Sequence, residues 1–445
     1  MTGLSGFPEL LPAERNVELY VLDHLRRVFE LHGFANVETR AVETTDTLLQ
    51  KGEIDKEVYV LKRIQAGEDE GDAGLGLHFD LTVPFARYVL ENAGHLEFPF
   101  RRYQIQKVWR GERPQQGRFR EFTQADIDVV ARDELPFHFD VEVAQVMAEA
   151  LGGLPVPPLT LQISNRKVLE GFYLGLGLSK PTAVMQVVDK LDRMPPDAVA
   201  TQLSQLELSE EQATSVLALA EISTTDTSFV ERVRQLGVTH ELLDTGLAEL
   251  AQVIGSTRSV DGVTVVADLR IARGLDYYTG TVFETRMAGY EQLGSICSGG
   301  RYDQLASDGR HTYPGTGISL GISRLLVPLL ADGLTSDRSV PSAVLVALVD
   351  EESRDISGEV ASRLRARGIP TEVAATAQKF GKQIRYAERR GIPYVWFPAA
   401  ESGHGQSGRP HEVKDIRSGD QVEADPDDWN PPIEDLRPHI KEQPT

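Results

Sequence analysis

The sequence predicts an α+β protein, with an antiparallel sheet flanked by helices, a helical insertion within that part of the chain, and a small C-terminal α/β domain. Three observations predict this. Residues 100–130 read as two strands of period two around a basic loop; residues 168–253 carry helical periodicity, with strands resuming beyond them; and after residue 340 strands and helices alternate as βαβαβ.

A chain of 445 residues exceeds one core, so two or three domains are expected. Net charge is 46 − 67 = −21, which argues against a general nucleic-acid-coating protein and leaves local basic stretches as the only footing for a polyanion. One cysteine excludes an internal disulfide and fits a cytoplasmic protein. The longest clean apolar run, residues 344–349, is far too short to span a bilayer, so no membrane partner is expected.

In chain order, residues 19–32 have apolar positions at helical spacing and stop at Gly33, leading into a short strand at 35–39. A strand is expected at 58–63, and another ending in FDLTVPFARYV, with Pro84 as its stop. On such a strand Asp80 and Thr82 face one side, where a carboxylate and a hydroxyl suit an ammonium group; an Asp closing a turn is the equal alternative.

In the hairpin, Tyr103, Ile105, Lys107 and Trp109 alternate with Gln104, Gln106 and Val108, and beyond the turn Phe119, Glu121 and Thr123 alternate with Arg120, Phe122 and Gln124. Seven basic residues between positions 101 and 120 (Arg101, Arg102, Lys107, Arg110, Arg113, Arg118 and Arg120) face the single acid Glu112. Gln124, Asp126 and Asp128 follow on the far arm. Cations suited to phosphate at one end and carboxylates suited to a cation at the other suggest two unlike substrates, against the plainer reading of a solvated charged hairpin.

Residues 140–151 form an amphipathic helix with an Asp cap, and 159–164 a strand. The segments 189–206, 209–222, 228–236 and 239–254 are helical, and 263–268 returns to strand. In IARGLDYYTGTVFETRM, Gly274 and Gly280 bracket a turn suited to a ligand loop or to packing tyrosines, before a strand at 281–287. CSGGRYDQL places a second Gly-Gly-Arg-Tyr-Asp on a turn, with Cys297 as a small buried residue, and PGTGISLGISRLLVPLL is a glycine-spaced strand leading into an apolar helix. No Gly-x-x-x-x-Gly-Lys-Ser/Thr and no Gly-x-Gly-x-x-Gly after a strand occurs, so neither a P-loop nor a dinucleotide fold is indicated.

Beyond the polar linker 331–340, strands at 343–348, 371–374 and 394–397 alternate with helices at 352–367 and 379–390. On the second helix Lys379, Lys382, Tyr386 and Arg389 share a basic face, either an ordinary solvated face or one that tracks a nucleic-acid strand.

These segments together resemble the histidine–tRNA ligase (histidyl-tRNA synthetase) family of class II aminoacyl-tRNA synthetases over nearly the whole chain. RGLDYYTGTVFE and SGGRYDQL look like the two histidine motifs, WRGERPQQGRFREFTQ is similar to class II motif 2, and GTGISLGISRLL to motif 3. The resemblance implies a class II catalytic domain over 1–335 with a helical insertion at 175–258, an anticodon-binding α/β domain at 341–430 and a flexible tail at 431–445. It implies ATP-dependent ligation of L-histidine to histidine tRNA through a histidyl-adenylate, ATP as substrate with magnesium on its phosphates, no protein-held metal, and a homodimer. A non-catalytic, synthetase-like regulatory subunit or histidine sensor is the alternative.

By the same resemblance, Asp80, Thr82 and Gln124 would hold the α-ammonium, Asp128 and Tyr278 would read the imidazole nitrogens, and Tyr277 and Tyr302 would line the pocket. Arg110 would meet the α-phosphate, and Arg273 would sit between carboxylate and phosphate. Phe122 and Arg324 would sandwich adenine, with Glu112 and Arg118 beside the phosphates. Gln115 and Gln116 would meet the tRNA acceptor end, and Lys379, Lys382 and Arg389 the anticodon side. Two residues depart from the family pattern: Arg40 stands where motif 1 usually has Pro, and Ser323 where motif 3 usually has an acid.

Overall fold

The structure, a computed structural model, describes residues 3–49, 57–63, 74–115, 117–192, 194–272, 277–304, 306–399 and 409–441. These fall into two compact units, one within Met1–Pro8 and Val21–Leu329, the other within Glu9–Tyr20 and Leu330–Thr445. Among the described residues no helix is long and apolar enough to cross a membrane.

The first unit is built on a nine-stranded sheet. In chain order its strands are β1 (Ala35–Asn36), β2 (Phe100–Trp109), β3 (Glu121–Val130), β4 (Leu159–Asn165), β5 (Ser223–Thr224), β6 (Val263–Asp268), β7 (Thr281–Met287), β8 (Cys297–Tyr302) and β9 (Gly315–Gly321). Their spatial order is β1-β2-β3-β9-β8-β7-β4-β6-β5. Only β1·β2 and β4·β6 are parallel; the other pairs are antiparallel, as the sequence predicts.

The β2–β3 hairpin sets the frame. Its register runs from Phe100↔Val130 to Trp109↔Glu121. Alternation along β3 puts one face against helix His138–Gly152 and the other toward the site. The Gly117 backbone turns at φ +71°, and a Cβ there would come within 2.7 Å of Leu293 Cδ2, so the turn needs glycine.

Helix Arg166–Gly175 begins where the Asn165 side chain accepts from the Lys167 N–H. It meets helix Glu241–Ser256 backbone to backbone: a Cβ on Gly171 would lie 2.2 Å from Leu243 N, and one on Gly246 2.5 Å from Val168 N. Between them lie helices Pro181–Val188, Pro196–Gln205, Glu210–Ala220 and Phe229–Gln235. The helix expected at 189–206 is broken at Pro195, which cannot continue a helical ladder, and restarts with Pro196 in its first turn. Ser209 and Gln212 form a capping box on the next helix.

Three further expected elements differ. Residues 58–63 make only an isolated bridge, Val60 to Gly76. The FDLTVPFARY segment is no strand: after Leu75–Leu77 the chain bends, and helix Thr82–Asn92 starts with Pro84 in its first turn. The Gly-Gly-Arg-Tyr of the second glycine motif is not a turn but lies within β8.

The second unit holds a five-stranded sheet. Val344–Val346 pairs in parallel with Thr371–Val373 and Tyr394–Phe397, and helices Arg354–Ala366 and Phe380–Arg390 are the crossovers. The strands Glu412–Asp415 and Gln421–Glu423, not expected from sequence, extend it as an antiparallel hairpin. The tail expected to be flexible is ordered to residue 441. Buried Asp435 accepts from Tyr394 Oη (2.6 Å) and Arg417 Nη1 (2.7 Å), and Ile440–Lys441 pairs with Thr335–Ser336. In the same unit Asn16 Nδ2 donates to the Arg338 carbonyl at 3.0 Å.

Candidate active site

A cavity of about 370 Å³ opens on the sheet of the first unit. Register lines up a row of polar side chains across six strands: Gln104 faces Asp126, Asp126 faces Ser319, Ser319 faces Ser298, Ser298 faces Glu284, and Glu284 faces Gln162; Asp126, Ser319 and Ser298 border this cavity, and Glu284 and Gln162 border a smaller one. Paired residues point to one side of a sheet, so this row is a consequence of alternation.

At one end lies Asp128. Its Oδ1 accepts from Tyr302 Oη at 2.8 Å, and its Oδ2 pairs with Arg102 Nη2 at 2.7 Å. Arg102 is completely buried and stands 4.2 Å from the Phe85 ring centroid. The glycines of β8 and β9 make room: a Cβ on Gly317 would meet Asp128 Oδ1 at 2.1 Å, one on Gly315 the Tyr302 ring at 2.5 Å, and one on Gly300 the Tyr278 ring at 2.8 Å. Tyr277 Oη donates to Tyr278 Oη at 2.8 Å. Burial foremost, aided by neighbouring acids and tyrosines, pushes the Tyr278 and Tyr302 phenols well above their ordinary range, so both stay protonated donors.

Asp80 and Thr82 line the same cavity, held at a helix start rather than on a strand. Asp80 Oδ1, one residue before the N-cap Leu81, accepts from the Val83 N–H at 3.1 Å, so Asp80 satisfies a first-turn donor while bordering the pocket.

Asp126 is 2% exposed, and burial pushes its carboxyl up to about 7; Asp128 and Asp80 add to the rise, and Arg102 and the Ser319 hydrogen bond oppose it. Ser319 Oγ donates to Asp126 Oδ1 at 2.5 Å and accepts from Gln124 Nε2 at 2.6 Å.

The other end is cationic. Phe122 lies six residues along β3 from Asp128, a strand length of roughly 20 Å. The Arg110 Nε donates to the Phe79 carbonyl at 3.0 Å, and its Cζ stands 5.1 Å from the Phe122 centroid. The Arg324 Nη1 donates to the Ser295 carbonyl at 2.8 Å, and Arg118 pairs with Glu112 at 3.3 Å. Ser323, where an acid is usual, accepts from the Thr123 N–H at 3.0 Å, a bond a carboxylate could also make.

The cavity therefore collects Asp80, Thr82, Arg110, Glu112, Arg118, Phe122, Gln124, Asp128, Tyr277, Tyr278, Tyr302 and Arg324. Arg273 and Gln116 lie outside the described residues. Gln115 does not line the cavity; it bridges Arg118 in the hairpin loop. Lys379, Lys382 and Arg389 belong to the second unit, where all three are exposed; Tyr386 beside them is engaged with Arg390.

Several basic residues that the hairpin sequence offers to phosphate are used structurally. Arg101 binds Glu142, Arg102 binds Asp128, and Lys107 pairs with Glu121. Arg40, at the departed motif 1 position, pairs with buried Glu43, which also holds Arg87. Sequence reasoning gives Ser319 no role, offers Arg102 to phosphate and Asp126 to a cation, and does not bring the three together. Their only sequence signal is polar identity on a period-two strand, and register is needed to show that they meet.

A family profile described as histidyl-tRNA synthetase matches residues 6–325, and one described as anticodon binding domain matches residues 343–406. The chain is 58% identical to the histidine–tRNA ligase of Micrococcus luteus over 98% of both chains. It is likewise 58% identical to that of Cutibacterium acnes over 98% of both chains. The crystal structure of histidyl-tRNA synthetase from Nostoc sp. PCC 7120 superposes with a TM-score of 0.83 at 34% identity, covering 95% of this chain and 96% of that one.

Proposed function

The chain belongs to the histidyl-tRNA synthetase family, and we propose that the two-ended cavity is where it activates its amino acid. The protein is an aminoacyl-tRNA ligase that charges tRNA with histidine. The observation that carries the residue assignments is the segregation of the pocket, with carboxylates and tyrosines at one end and arginines beside an aromatic ring at the other.

Histidine presents an ammonium, a carboxylate and an imidazole with two distinct nitrogens. Asp80, Thr82 and Gln124 take the ammonium. Asp128, which accepts from Tyr302 and pairs with Arg102, accepts from the ring N–H. Tyr278, receiving the Tyr277 proton, keeps its own for the other ring nitrogen. Tyr277 and Tyr302 close the ring pocket.

The substrate carboxylate attacks the α-phosphorus of ATP, forming histidyl-adenylate and releasing pyrophosphate. A terminal tRNA ribose hydroxyl then takes the histidyl group. Negative charge gathers at the α-phosphorus, where Arg110 supplies a fixed guanidinium; Arg273, assigned from its motif, joins carboxylate to phosphate. Adenine lies between Phe122 and Arg324, with Glu112 and Arg118 beside the phosphates. Magnesium comes on the nucleotide and neutralises phosphate charge. Among the described residues no group of three His, Cys, Asp or Glu could hold a metal, whereas Glu57 and Glu112 line the cavity as oxygen donors that fit one carried by phosphate.

Gln115 and Gln116 meet the acceptor end of tRNA, and Lys379, Lys382 and Arg389 its anticodon side. A homodimer in the cytoplasm completes the reading; sedimentation of the purified chain checks the dimer. The regulatory alternative is disfavoured by the match to an anticodon-binding profile and by ligase relatives spanning nearly the whole chain.

The test is histidine-dependent exchange of pyrophosphate into ATP by the full chain. Exchange is expected, and Arg110→Ala should lower its kcat/KM by about 10²–10³-fold. Folded protein that binds histidine yet gives no exchange would return the regulatory reading.

A further inference from the structure

Three side chains at the base of the cavity form a directed hydrogen-bond chain. Gln124 Nε2 donates to Ser319 Oγ at 2.6 Å, and Ser319 Oγ donates to Asp126 Oδ1 at 2.5 Å. Backbone register imposes the grouping: Asp126 faces Ser319 across β3 and β9, and Gln124 stands two residues along β3 on the same side. All three border the cavity that holds the proposed ammonium ligands Asp80 and Thr82.

The direction of the chain follows from counting protons. Above about pH 7 Asp126 is ionised and has no proton to give, and a serine hydroxyl has one. Ser319 therefore gives its proton to Asp126 and offers a lone pair to the Gln124 amide. That orients the amide with nitrogen toward Ser319 and oxygen away from it. Gln124 Oε1 is buried and has no hydrogen-bond partner among the described residues. Flipping the amide would leave two oxygens 2.6 Å apart with no proton between them, so the carboxylate determines which end of Gln124 is free.

We propose that Asp126, acting through Ser319, is a positioning residue that fixes the polarity of the Gln124 amide, so that its carbonyl oxygen accepts from the α-ammonium of the amino-acid substrate. This rests on the reading of Gln124 as an ammonium ligand. A neutral side chain at 126 that can donate inverts the chain: it gives a proton to Ser319, Ser319 gives its own to Gln124 Oε1, and the amide turns its positive N–H end toward the ammonium. Asp126 and Ser319 need not touch the substrate. Their effect is confined to ligands that carry the amino group.

The experiment uses pyrophosphate exchange by the full chain at about pH 8.5, where Asp126 is ionised, with two competitors. L-Histidinol keeps the ammonium and lacks the carboxylate; 3-(imidazol-4-yl)propionate lacks the amino group. Asp126→Asn should raise the KM for histidine about tenfold or more and weaken histidinol equally, with kcat within about twofold and the des-amino competitor unchanged. Ser319→Ala should reproduce this. Gln124→Glu in the Asp126→Asn background presents an acceptor in either orientation and should recover most of the loss.

A fall in kcat at unchanged KM, equal weakening of both competitors, or no recovery with Gln124→Glu would overturn the proposal. Gln124→Ala separates it from its premise. If that variant leaves histidine and histidinol binding intact, Gln124 is no ammonium ligand and both readings fall. If it weakens histidinol while Asp126→Asn and Ser319→Ala do not, only the relay fails. Should Asp126→Asn not fold, Ser319→Ala decides by the same criteria.

Discussion

Asp126 shows how one buried carboxylate sets stability against function. Burial, helped by Asp128 and Asp80 and opposed by Arg102, pushes its carboxyl from 3.8 up to about 7. Its ionised form is therefore disfavoured in the folded state relative to the unfolded chain. For an acid whose folded pKa is raised, the native state holds the proton longer than the unfolded chain, so stability falls as pH climbs from about 4 to about 7 and stays low above that. Asp126→Asn removes this cost and should raise Tm, with the gain largest near about pH 8 and shrinking as pH is lowered toward about 4. A gain that does not vary with pH would show that titration of Asp126 is not its source. The same variant is expected to bind histidine worse, so its stability should improve while its affinity declines. Tyr278 makes the complementary case: its phenol is held protonated, so Tyr278→Phe removes a donor without changing charge. Histidine KM in pyrophosphate exchange should rise by about 10–100-fold, because the ring nitrogen would be buried unpaired; an unchanged KM would remove Tyr278 from ring recognition.

Pairs of elements meet where glycine permits backbone contact, and one such meeting carries a prediction. Helices Arg166–Gly175 and Glu241–Ser256 touch through Gly171 and Gly246. Gly171→Ala puts a methyl 2.2 Å from Leu243 N, where only a helix shift can relieve it, and should destabilise the first unit by about 1–3 kcal/mol as read by urea melts. Pyrophosphate exchange by the remaining folded fraction should keep its histidine KM, since the site lies on other strands. Close approaches of this kind are hard to read from a chain alone, whereas regular alternation is not. The β2–β3 hairpin is legible because its arms alternate over ten residues each and close on a local turn. Arg110, Glu112, Arg118, Phe122, Gln124 and Asp128, singled out from that stretch, all border the cavity. Asp80 and Thr82 suggest a strand because period two and a helix start look alike over three residues, and the Asp80 bond to the first-turn Val83 N–H belongs to the helix start. Glu412–Asp415 and Gln421–Glu423 escape sequence reading because they are short and mostly polar, so no apolar alternation marks them. Arg102 reads as a phosphate-seeking cation; its burial against Asp128 follows from a pairing across strands that spacing along the chain does not reveal.

For the whole molecule, net charge is the governing quantity. At −21 the chain repels a polyanion, so tRNA must find the few places where cations are not offset by acids. We propose that the exposed Lys382 and Arg389 on helix Phe380–Arg390 are one such place; among the described residues, those lining the cavity belong to the first unit. Reversing both, as Lys382→Glu with Arg389→Glu, should raise the KM for tRNA in charging by about tenfold or more at low salt. Each cation taken away from a phosphate should also flatten the dependence of log KM on log salt by close to one, so the double variant should be shallower than the parent by about two. Histidine-dependent pyrophosphate exchange, which needs no tRNA, should be unchanged within about twofold. If exchange fell as far as charging, the helix would be acting on the fold and not on tRNA. If charging kept its salt slope, the anticodon side would be gripped by other residues. The division of labour between a pocket that holds small charged ligands and a helix face that holds a large one then rests on two measurements from one protein: the exchange rate and the slope of charging against salt.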